Sequence, residues 1–476
     1  MPNANVRISG IKLHNLKNVV RGYLSFDNPR KNYKASVVGI YGQNGSGKTT
    51  LIDAITLLKF ILTGRSVPRN FSDFINVNSE KATLEFYFDV NSSMGLVPVS
   101  YEFTISTVED LSDQNADGLE SVRRTVRISN EIIKCPSFEE TTLTLGRQGK
   151  LIDTNCATGF TPNSKRNLLI GSFDLTDILV MKNLTETTSR SFVFSRELLT
   201  AIRNRVNKIG ERSIALTYYS SILEKMVSFA HHELFILDTQ TAGLINLNAQ
   251  PILFKYKQPD MGAFGSITLP IDRPTIIPQQ EKEVVEKIIG SINIVLCKII
   301  PNMSISIKSL SKQVMQDGSV GEQIQLMSKR EGFEKPLPLA IESEGIKKII
   351  SVLQLLIVVY NDPSITLAVD ELDSGVFEYL LGEILRIISE RGKGQLIFTS
   401  HNLRVLETID RGFVAFTTTE SKNRYTRMTN IKGNNNLRDV YYRKIMLGDE
   451  NDKYYDSIPN FEVALALKLA GGYGIG

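Results

Sequence analysis

The sequence predicts an α/β fold with a mixed or parallel sheet, an N-terminal antiparallel β subdomain and an inserted, mostly helical lobe. The stretch Gly42–Thr49 fits the phosphate-binding pattern G-x-x-x-x-G-K-[ST] and stands between a strand pattern and a helix pattern. Helix, strand, helix and strand patterns follow one another between Gly345 and Thr399, which is typical of parallel strands. Partial alternation of apolar and polar residues over 7–26 and 81–128 indicates antiparallel strands on either side of the loop.

The composition is that of a folded, soluble protein. The 476 residues are enough for two or three domains, or for one domain with a large insertion. Hydrophobic residues make up 42% and charged residues 22%, and the formal net charge of +4 neither requires nor excludes nucleic acid. Cys135, Cys156 and Cys297 are widely spaced, so we expect a reducing compartment and no zinc site. No signal-peptide pattern and no bilayer-length apolar run is found, so the expected location is the cytoplasm, without a membrane partner.

The phosphate-binding loop has the context that its chemistry needs. Ala35–Tyr41 reads as a buried strand, and apolar residues recur at helical spacing from Leu51 to Leu62. Glycines let backbone N–H groups point inward, and the start of the next helix favours anions, whereas an ordinary glycine-rich turn would not need this context. Lys48 would reach the β- and γ-phosphates, and Thr49 would hold Mg²⁺. The predicted nucleotide-binding residues of the loop are Gly42, Asn44, Gly45, Ser46, Gly47, Lys48, Thr49 and Thr50.

Polar residues end two later strand patterns. The apolar stretch that begins at Ile365 ends in Asp370 and Glu371, and the stretch that begins at Gly394 ends in Ser400 and His401. Carboxyl ends of parallel strands meet at one edge of a sheet, where ligands bind. There Asp370 would bind Mg²⁺ directly or through water, Glu371 would activate the attacking water, and His401 would contact the γ-phosphate. The alternatives are solvated strand ends and a histidine without a catalytic role.

These motifs carry a family resemblance. G-x-N-G-x-G-K-T, a strand ending in Asp-Glu and a strand ending in Ser-His resemble the ABC-type ATPases, and within them the SMC-like and OLD-like branch that includes RecF. The resemblance implies an ABC-type P-loop ATPase head that binds and hydrolyses ATP with Mg²⁺. Ile11–Asn18 is similar to the first strand and turn of that branch, with Leu16 where phenylalanine is common. By this resemblance, Lys17 and Asn18 lie near the nucleotide.

The resemblance extends to the signature motif of the family. Glu342–Lys348 keeps a Ser-x-Gly core but departs from Leu-Ser-Gly-Gly. In the family these residues contact the γ-phosphate of a nucleotide held by another subunit, which implies that Ser343 and Gly345 bind ATP across a homo-oligomer interface. A serine N-cap on an amphipathic helix is a second interpretation, and both can hold together. Asp373 resembles the family's D-loop.

The expected domain order is two halves of one ATPase head separated by a lobe. Residues 1–135 would form the first half of the head, 136–300 the inserted lobe, 301–440 the second half and 441–476 a C-terminal tail. Helix patterns in the lobe cover Arg196–Lys208, Tyr218–His232 and Lys282–Ile299, without the sustained heptads of an SMC coiled coil.

The resemblance also implies a biological role. About 75 residues follow His401, fewer than the Toprim domain of OLD nucleases needs. The chain therefore resembles the stand-alone ATPase subunits of phage-defence systems such as PARIS, Septu and abortive-infection pairs. This implies a regulatory ATPase that senses a trigger and controls a separately encoded effector, a nuclease or a toxin. A RecF-like DNA-repair ATPase and a nucleotide-gated scaffold with little turnover remain alternatives.

Two weaker patterns remain. His231-His232-Glu233 is similar to a zinc-binding helix but lacks the third ligand at the needed spacing, which favours a polar helix face. Basic and aromatic residues also mix near the end of the chain, and they could bind nucleic acid or form a solvated strand edge or a partner surface. These residues are Arg424, Arg427, Lys432, Arg438, Tyr441, Tyr442, Arg443 and Lys444.

Overall fold

A mostly parallel sheet carries the phosphate-binding loop. The computed structural model describes residues 5–27, 36–110, 123–139, 142–171, 174–209, 212–237, 251–257, 264–315, 318–428, 436–447, 454 and 460–472. Among these residues, the strands of this sheet in spatial order are β18 (Tyr425–Thr426), β17 (Val414–Thr417), β3 (Ser36–Tyr41), β16 (Gln395–Thr399), β15 (Thr366–Val369) and β8 (Leu234–Leu237).

The pairing in this sheet brings the predicted site residues to one edge. All neighbouring strands pair in parallel except β17 and β18, which are antiparallel. The carboxyl ends of β3, β15 and β16 therefore lie at the same edge of the sheet. Every residue of β15 and β16 is buried, as expected for parallel strands covered on both faces. The predicted α/β arrangement is confirmed.

A second, antiparallel sheet covers one side of the molecule. Its strands among the described residues, in spatial order, are β2 (Val19–Ser25), β1 (Val6–Leu16), β4 (Lys81–Ser92), β5 (Gly95–Asp110), β6 (Arg123–Glu139) and β7 (Thr144–Asp153). Alternate residues of β4 are fully buried, for example Leu84, Phe86 and Phe88. This period of two is the pattern of a sheet with one face on the core, and it confirms the predicted antiparallel β subdomain.

Helix α1 (Lys48–Leu62) lies between the two sheets. It has buried residues around most of its circumference, such as Leu51, Ala54 and Leu58. One continuous core joins these residues to the antiparallel sheet and to Val38 and Ile397 of the parallel sheet. A helix that is apolar on nearly all sides is stable only where both sides are covered, so α1 is held in place along its whole length.

The predicted lobe, residues 136–300, contains helices and short strands. Its helices are α2 (Asn163–Ile170), α3 (Leu175–Thr187), α4 (Arg196–Ile209), α5 (Ile214–Ser228) and α6 (Gln279–Ile299). The helix predictions for Arg196–Lys208, Tyr218–His232 and Lys282–Ile299 are confirmed, with a single π turn over Phe229–Glu233. β9 (Pro251–Lys257) and β10 (Phe264–Pro270) form a hairpin. The π turn runs directly into β8, so the lobe also supplies the edge strand of the parallel sheet.

A small third sheet packs on α6. Its strands are β11 (Thr275–Pro278), β12 (Met303–Val314), β13 (Val320–Arg330) and β14 (Leu337–Pro338). Ile292 and Leu296 of α6 share a core with Ile305 and Ile324 of this sheet. The expected boundary between residues 300 and 301 therefore falls inside one packed unit. The boundary between residues 135 and 136 lies inside β6, and Cys135 and Phe138, on either side of it, belong to the same core.

The remaining helices cover the other face of the parallel sheet. These are α7 (Glu344–Asn361), α8 (Glu378–Arg391), α9 (Val405–Thr408) and α10 (Leu437–Leu447). Leu355 of α7 and Leu385 of α8 pack on Leu367 and Phe398 of the sheet. Short 3₁₀ turns occupy Arg69–Phe74, Leu339–Ile341 and Arg411–Phe413, and a last helix, α11 (Asn460–Gly472), lies in the predicted tail. Among the described residues, every helix is too short or too polar to cross a lipid bilayer.

Candidate functional site

The loop after β3 folds around the position of Lys48. Gly45 and Gly47 have φ angles of 75° and 94°, a backbone conformation that side chains with a Cβ rarely adopt. This conformation brings the Lys48 side chain back across the loop, where its Nζ donates to Gly42 O at 2.8 Å and to Gln43 O at 3.0 Å. The loop is thus closed on its own lysine, with the start of α1 directed at the same space.

Electrostatics favour an anion beside Lys48. Burial lowers the pKa of the Lys48 ammonium below its ordinary value, although Asp370, Glu371 and Asp373 act in the opposite direction. A phosphate group in the cavity would stabilise the charged lysine in place of the lost hydration. Burial, followed by the charge of Lys48, also lowers the pKa of His401, so its imidazole is neutral at pH 7.

Asp370 is held by hydroxyl groups from two other elements. Thr399 Oγ1, at the end of β16, donates to Asp370 Oδ1 at 2.5 Å. Thr49 Oγ1, in the first turn of α1, lies 3.4 Å from the same oxygen. The backbone N–H of Asp370 donates to Leu237 O at 2.8 Å, at the end of β8. Three neighbouring elements therefore fix this carboxylate beside the phosphate-binding loop.

The pair Thr49 and Asp370 fits a magnesium ion. Mg²⁺ prefers oxygen donors, and in nucleotide sites it binds through one or two protein oxygens together with phosphates and water. A hydroxyl and a carboxylate 3.4 Å apart meet that requirement. Among the described residues, His231-His232-Glu233 included, no group of three or more His, Cys, Asp and Glu side chains could hold a metal by itself.

Glu371 follows in a strained backbone conformation. Its φ angle is 47°, in the left-handed region that non-glycine residues rarely adopt. Its N–H donates to Thr399 Oγ1 at 2.8 Å, the same hydroxyl that binds Asp370. One threonine thus positions both residues of the pair, and the turn directs Glu371 into the cavity.

The loop after β16 is held by Asp373. Asp373 Oδ2 accepts a hydrogen bond of 3.0 Å from the backbone N–H of His401. The residue that resembles the family's D-loop is therefore tied to the histidine of the same chain. Its other oxygen, Oδ1, is buried without a hydrogen bond among the described residues.

The turn between β1 and β2 closes the opposite wall. Lys17 lies in the left-handed conformation with a φ angle of 50°, and its ammonium contacts the Asp53 carboxylate and the ring of Phe74. Asn18 donates to Gly45 O, and its Oδ1 accepts from Thr50 Oγ1 at 3.3 Å. Asn18 therefore bridges the phosphate-binding loop and α1.

These elements enclose a cavity of about 390 Å³, a volume in the range of small-molecule sites. Ten of the predicted site residues line it: Lys17, Asn18, Asn44, Gly45, Gly47, Lys48, Thr49, Thr50, Glu371 and His401. Gly42, Ser46 and Asp370 support the lining from behind. Ser343 and Gly345 do not line this cavity.

Ser343 and Gly345 lie at the start of α7, on the surface of the chain. Ser343 is the N-cap residue, because its Oγ accepts from Ile346 N at 3.5 Å, as the capping interpretation predicts. A Cβ on Gly345 would lie 2.1 Å from the carbonyl oxygen of Gly375, two residues after Asp373. The signature-like motif therefore packs against the segment that follows the carboxylate pair, and only glycine fits there.

The predicted basic and aromatic surface near the end of the chain is partly internal. Arg424 is 5% exposed and donates to Asn18 O at 2.6 Å and to Thr418 O at 2.8 Å. Arg427 donates to Ser25 O at 2.9 Å, Arg438 pairs with Glu407 at 2.8 Å, and Tyr441 is buried against Phe416. Lys432 lies outside the described residues. Tyr442 and Arg443 are exposed, so long-range contacts, which the local pattern does not show, use only part of this set.

Two neighbours of Arg424 position the phosphate-binding loop itself. Tyr425 OH donates to Gly47 O at 2.8 Å, and Thr417 Oγ1 contacts Ser46 Oγ. Neither residue was predicted from the sequence, and the same is true of Thr399 and Asp53. Only the strand-end position of Thr399 and Thr417 could have indicated a role near the site.

Two family models match the chain, each over nearly half of its length. One, described as "AAA domain", matches residues 6–225, and the other, "AAA domain, putative AbiEii toxin, Type IV TA system", matches residues 191–407. A stretch of 77 residues is 35% identical to SbcC, a subunit of the nuclease SbcCD of Clostridium acetobutylicum. This stretch is 15% of this chain and 6% of SbcC.

Solved structures of ATPase heads are also similar. One is the SMC head bound to the C-terminal winged-helix domain of ScpA. The superposition covers 89% of this chain and 97% of the SMC head chain, with 14% identity and a TM-score of 0.44. The recombination mediator RecF with ATP covers 89% and 99%, with 13% identity and a TM-score of 0.35. The loop has the geometry of a phosphate-binding loop, and the chain is similar to AAA domains over residues 6–225 and 191–407 and to SbcC over one short stretch.

Proposed function

We propose that the chain hydrolyses ATP with Mg²⁺ in this cavity, in sites completed by a second copy, and that the ATP-bound state controls a separately encoded effector in anti-phage defence. One observation carries the catalytic part. Lys48, Glu371 and His401, which come from three distant stretches of the sequence, line one cavity of about 390 Å³. A phosphate-binding lysine, a carboxylate and a neutral imidazole are the groups that phosphoryl transfer to water needs.

Each residue of the cavity has a distinct proposed role. Lys48 exchanges its bonds to the Gly42 and Gln43 carbonyls for the β- and γ-phosphates. Thr49 and Asp370 would hold Mg²⁺, which would supply positive charge to neutralise the phosphates. Glu371 accepts a proton from the attacking water. His401, held through its backbone by Asp373, directs a neutral N–H at the γ-phosphate.

The arrangement of α7 supports a composite site. The exposed Ser343 starts α7, so its hydroxyl and the free N–H groups of the first turn face solvent and not the cavity of the same chain. A helix N-terminus of this kind attracts an anion. The Gly345–Gly375 contact links this helix to Asp373 and, through it, to His401. ATP between two copies would then contact Ser343 of one and Lys48 of the other.

Cross-linking between different chains tests the composite site. We expect a chain with Asn44→Cys to be cross-linked to a separate chain with Glu344→Cys by a short bismaleimide, only when ATP is present. Both cysteines lie at exposed positions on the two motifs, and Cys297→Ser removes the exposed native thiol from each chain. Glu371→Gln in both chains keeps ATP bound during the reaction. The measurement is the yield of covalent dimer on a denaturing gel.

The control pairs Asn44→Cys with Lys150→Cys, an exposed residue of β7. A dimer of equal yield in that mixture, or an ATP-dependent link that forms only when both cysteines are in one chain, would refute the sandwich.

The regulatory role is supported by the comparisons. The model that matches residues 191–407 is named for a toxin of a type IV toxin–antitoxin system, and the relative SbcC is named as a component of a nuclease. Both names connect a similar chain with a toxic or nucleolytic activity, the first by naming the AAA domain as a putative toxin and the second by naming a subunit of a nuclease. We therefore propose that ATP occupancy holds or releases such an effector, which is a second polypeptide.

A phage-plating assay tests this role. Cells that carry the chain with its neighbouring genes are expected to reduce phage plating, and Lys48→Ala should restore plating to the level of empty cells. The similarity to a nuclease component also supports the alternative, a RecF-like DNA-repair ATPase. Under that alternative the isolated protein binds gapped or broken DNA in an ATP-dependent manner, and plating is the same with and without Lys48→Ala. This second result would overturn the defence role.

A further inference from the structure

A second cavity lies at the far end of α1. Its volume is about 580 Å³, larger than the nucleotide cavity. Thr63 and Gly64 follow the last turn of α1, and the other walls come from α4, α5 and the π turn. Since α1 has 15 residues at about 1.5 Å each, roughly 22 Å separates this cavity from Lys48. The two cavities share no lining residue.

The lining carries more positive than negative charge. Arg196, Arg203, His231 and His232 face the cavity, against the single carboxylate of Glu224. Arg203 Nε pairs with Glu224 Oε1 at 3.2 Å, while Arg196 makes no ion pair among the described residues. A guanidinium without a carboxylate partner, on the wall of a cavity, is suited to bind an anion.

Cations behind the lining add to this field. Burial is the largest cause of the lowered pKa of His231, and the charges of His232, Arg65 and Lys59 lower it further. Lys59 is itself buried and donates to Leu234 O at 2.7 Å. The positive charge near the cavity therefore comes from Lys59 of α1 and from Arg196 and Arg203 of α4, while the lowered pKa keeps His231 neutral at pH 7.

The wall of the cavity is built before any ligand binds. Phe194 lies in a segment held by the buried carboxylate of Glu131, which accepts from Ser191 Oγ and from Phe192 N at 2.7 Å. Gly64 approaches this segment so closely that a Cβ would lie 2.6 Å from Phe194 O. A preformed wall costs little ordering on binding. Leu199 and Val227 add apolar surface next to the arginines.

We propose that this cavity binds a small phosphate-bearing molecule of up to mononucleotide size, at a site separate from the ATP cavity. The phosphate would contact Arg196 and Arg203, with the hydroxyls of Thr200 and Ser228 as further donors. The volume of about 580 Å³ suits a ligand of this size, and the apolar wall leaves room for a base or sugar. Both α1 and the π turn that leads into β8 run from this site towards Lys48 and Asp370.

Calorimetric titration of the full-length Lys48→Ala protein tests the proposal, because that background weakens the ATP site. Inorganic pyrophosphate and AMP are titrated separately. Equal affinity for both indicates that only the phosphate is recognised, and tighter binding of AMP indicates a nucleotide ligand. Arg196→Gln is expected to reduce the affinity of the bound probe by roughly tenfold or more, because a charge-assisted hydrogen bond is lost. Thr200→Glu, on the exposed side of α4, should reduce it similarly by repelling the phosphate.

Arg147→Gln is the matched control, since it removes the same charge from an exposed position on β7. It should leave the affinity unchanged, and thermal melting should show all variants folded. No binding of either probe, or an affinity that survives both Arg196→Gln and Thr200→Glu, would overturn the proposal. Tighter binding of a twelve-residue oligothymidylate than of AMP would also overturn it, since the cavity would then serve a nucleic-acid strand.

Discussion

Replacing Lys48 with alanine is expected to weaken ATP binding by roughly 100-fold or more, because contacts between an ammonium and phosphates contribute about 3 kcal/mol. In the free protein Lys48 Nζ donates to Gly42 O and Gln43 O, so its position over the loop is set before ATP arrives. Isothermal titration calorimetry of Mg·ATP into the purified variant measures the change in affinity.

The Lys48→Ala protein should remain folded. Gly42 and Gln43 are partly exposed, so water can replace the lost hydrogen bonds. Burial lowers the pKa of the Lys48 ammonium, so removing this group also removes a desolvation cost. Lys81→Ala, at the exposed start of β4, is the matched control and should bind ATP as the unaltered protein does. A folded Lys48→Ala protein with undiminished ATP affinity would contradict the assignment.

Replacing Glu371 with glutamine is expected to leave ATP affinity unchanged and to slow hydrolysis by roughly 100-fold or more, the usual contribution of a general base. The amide keeps the shape of the side chain but cannot accept the proton of the attacking water. The bond from Glu371 N to Thr399 Oγ1 belongs to the backbone, so the strained turn with a φ angle of 47° is retained. Single-turnover release of phosphate from bound ATP is the measurement.

Glu390→Gln, an exposed change on α8, controls for the loss of a carboxylate and should hydrolyse ATP at the unaltered rate. Phosphate release by Glu371→Gln at that same rate would remove Glu371 from the role of base. Loss of ATP binding in the variant would instead show that the carboxylate positions nucleotide. The two assays together therefore separate binding from chemistry.

The local elements of the site can be predicted from the sequence alone. Gly45 and Gly47 specify a turn that only glycine adopts easily, and the apolar runs before Gly42 and Asp370 specify buried strands. Because parallel strands present their carboxyl ends at one edge of a sheet, the strand patterns that end in Glu371 and His401 predict that these side chains lie near Lys48. The helices of the lobe were predictable for a related reason, since amphipathic periodicity is a property of neighbouring residues.

The distant residues that hold these elements in place are visible only in the folded chain. Arg424 looks like part of a basic, aromatic surface, and nothing in the local pattern marks Tyr425, yet the two residues bind Asn18 and Gly47 some 400 positions away in the chain. A shared core also joins α6 to the strands after it, which no local pattern shows. An arginine that binds a distant carbonyl and an arginine that faces solvent have the same local sequence pattern. Which of the two occurs depends on burial, and burial exists only once the chain has folded.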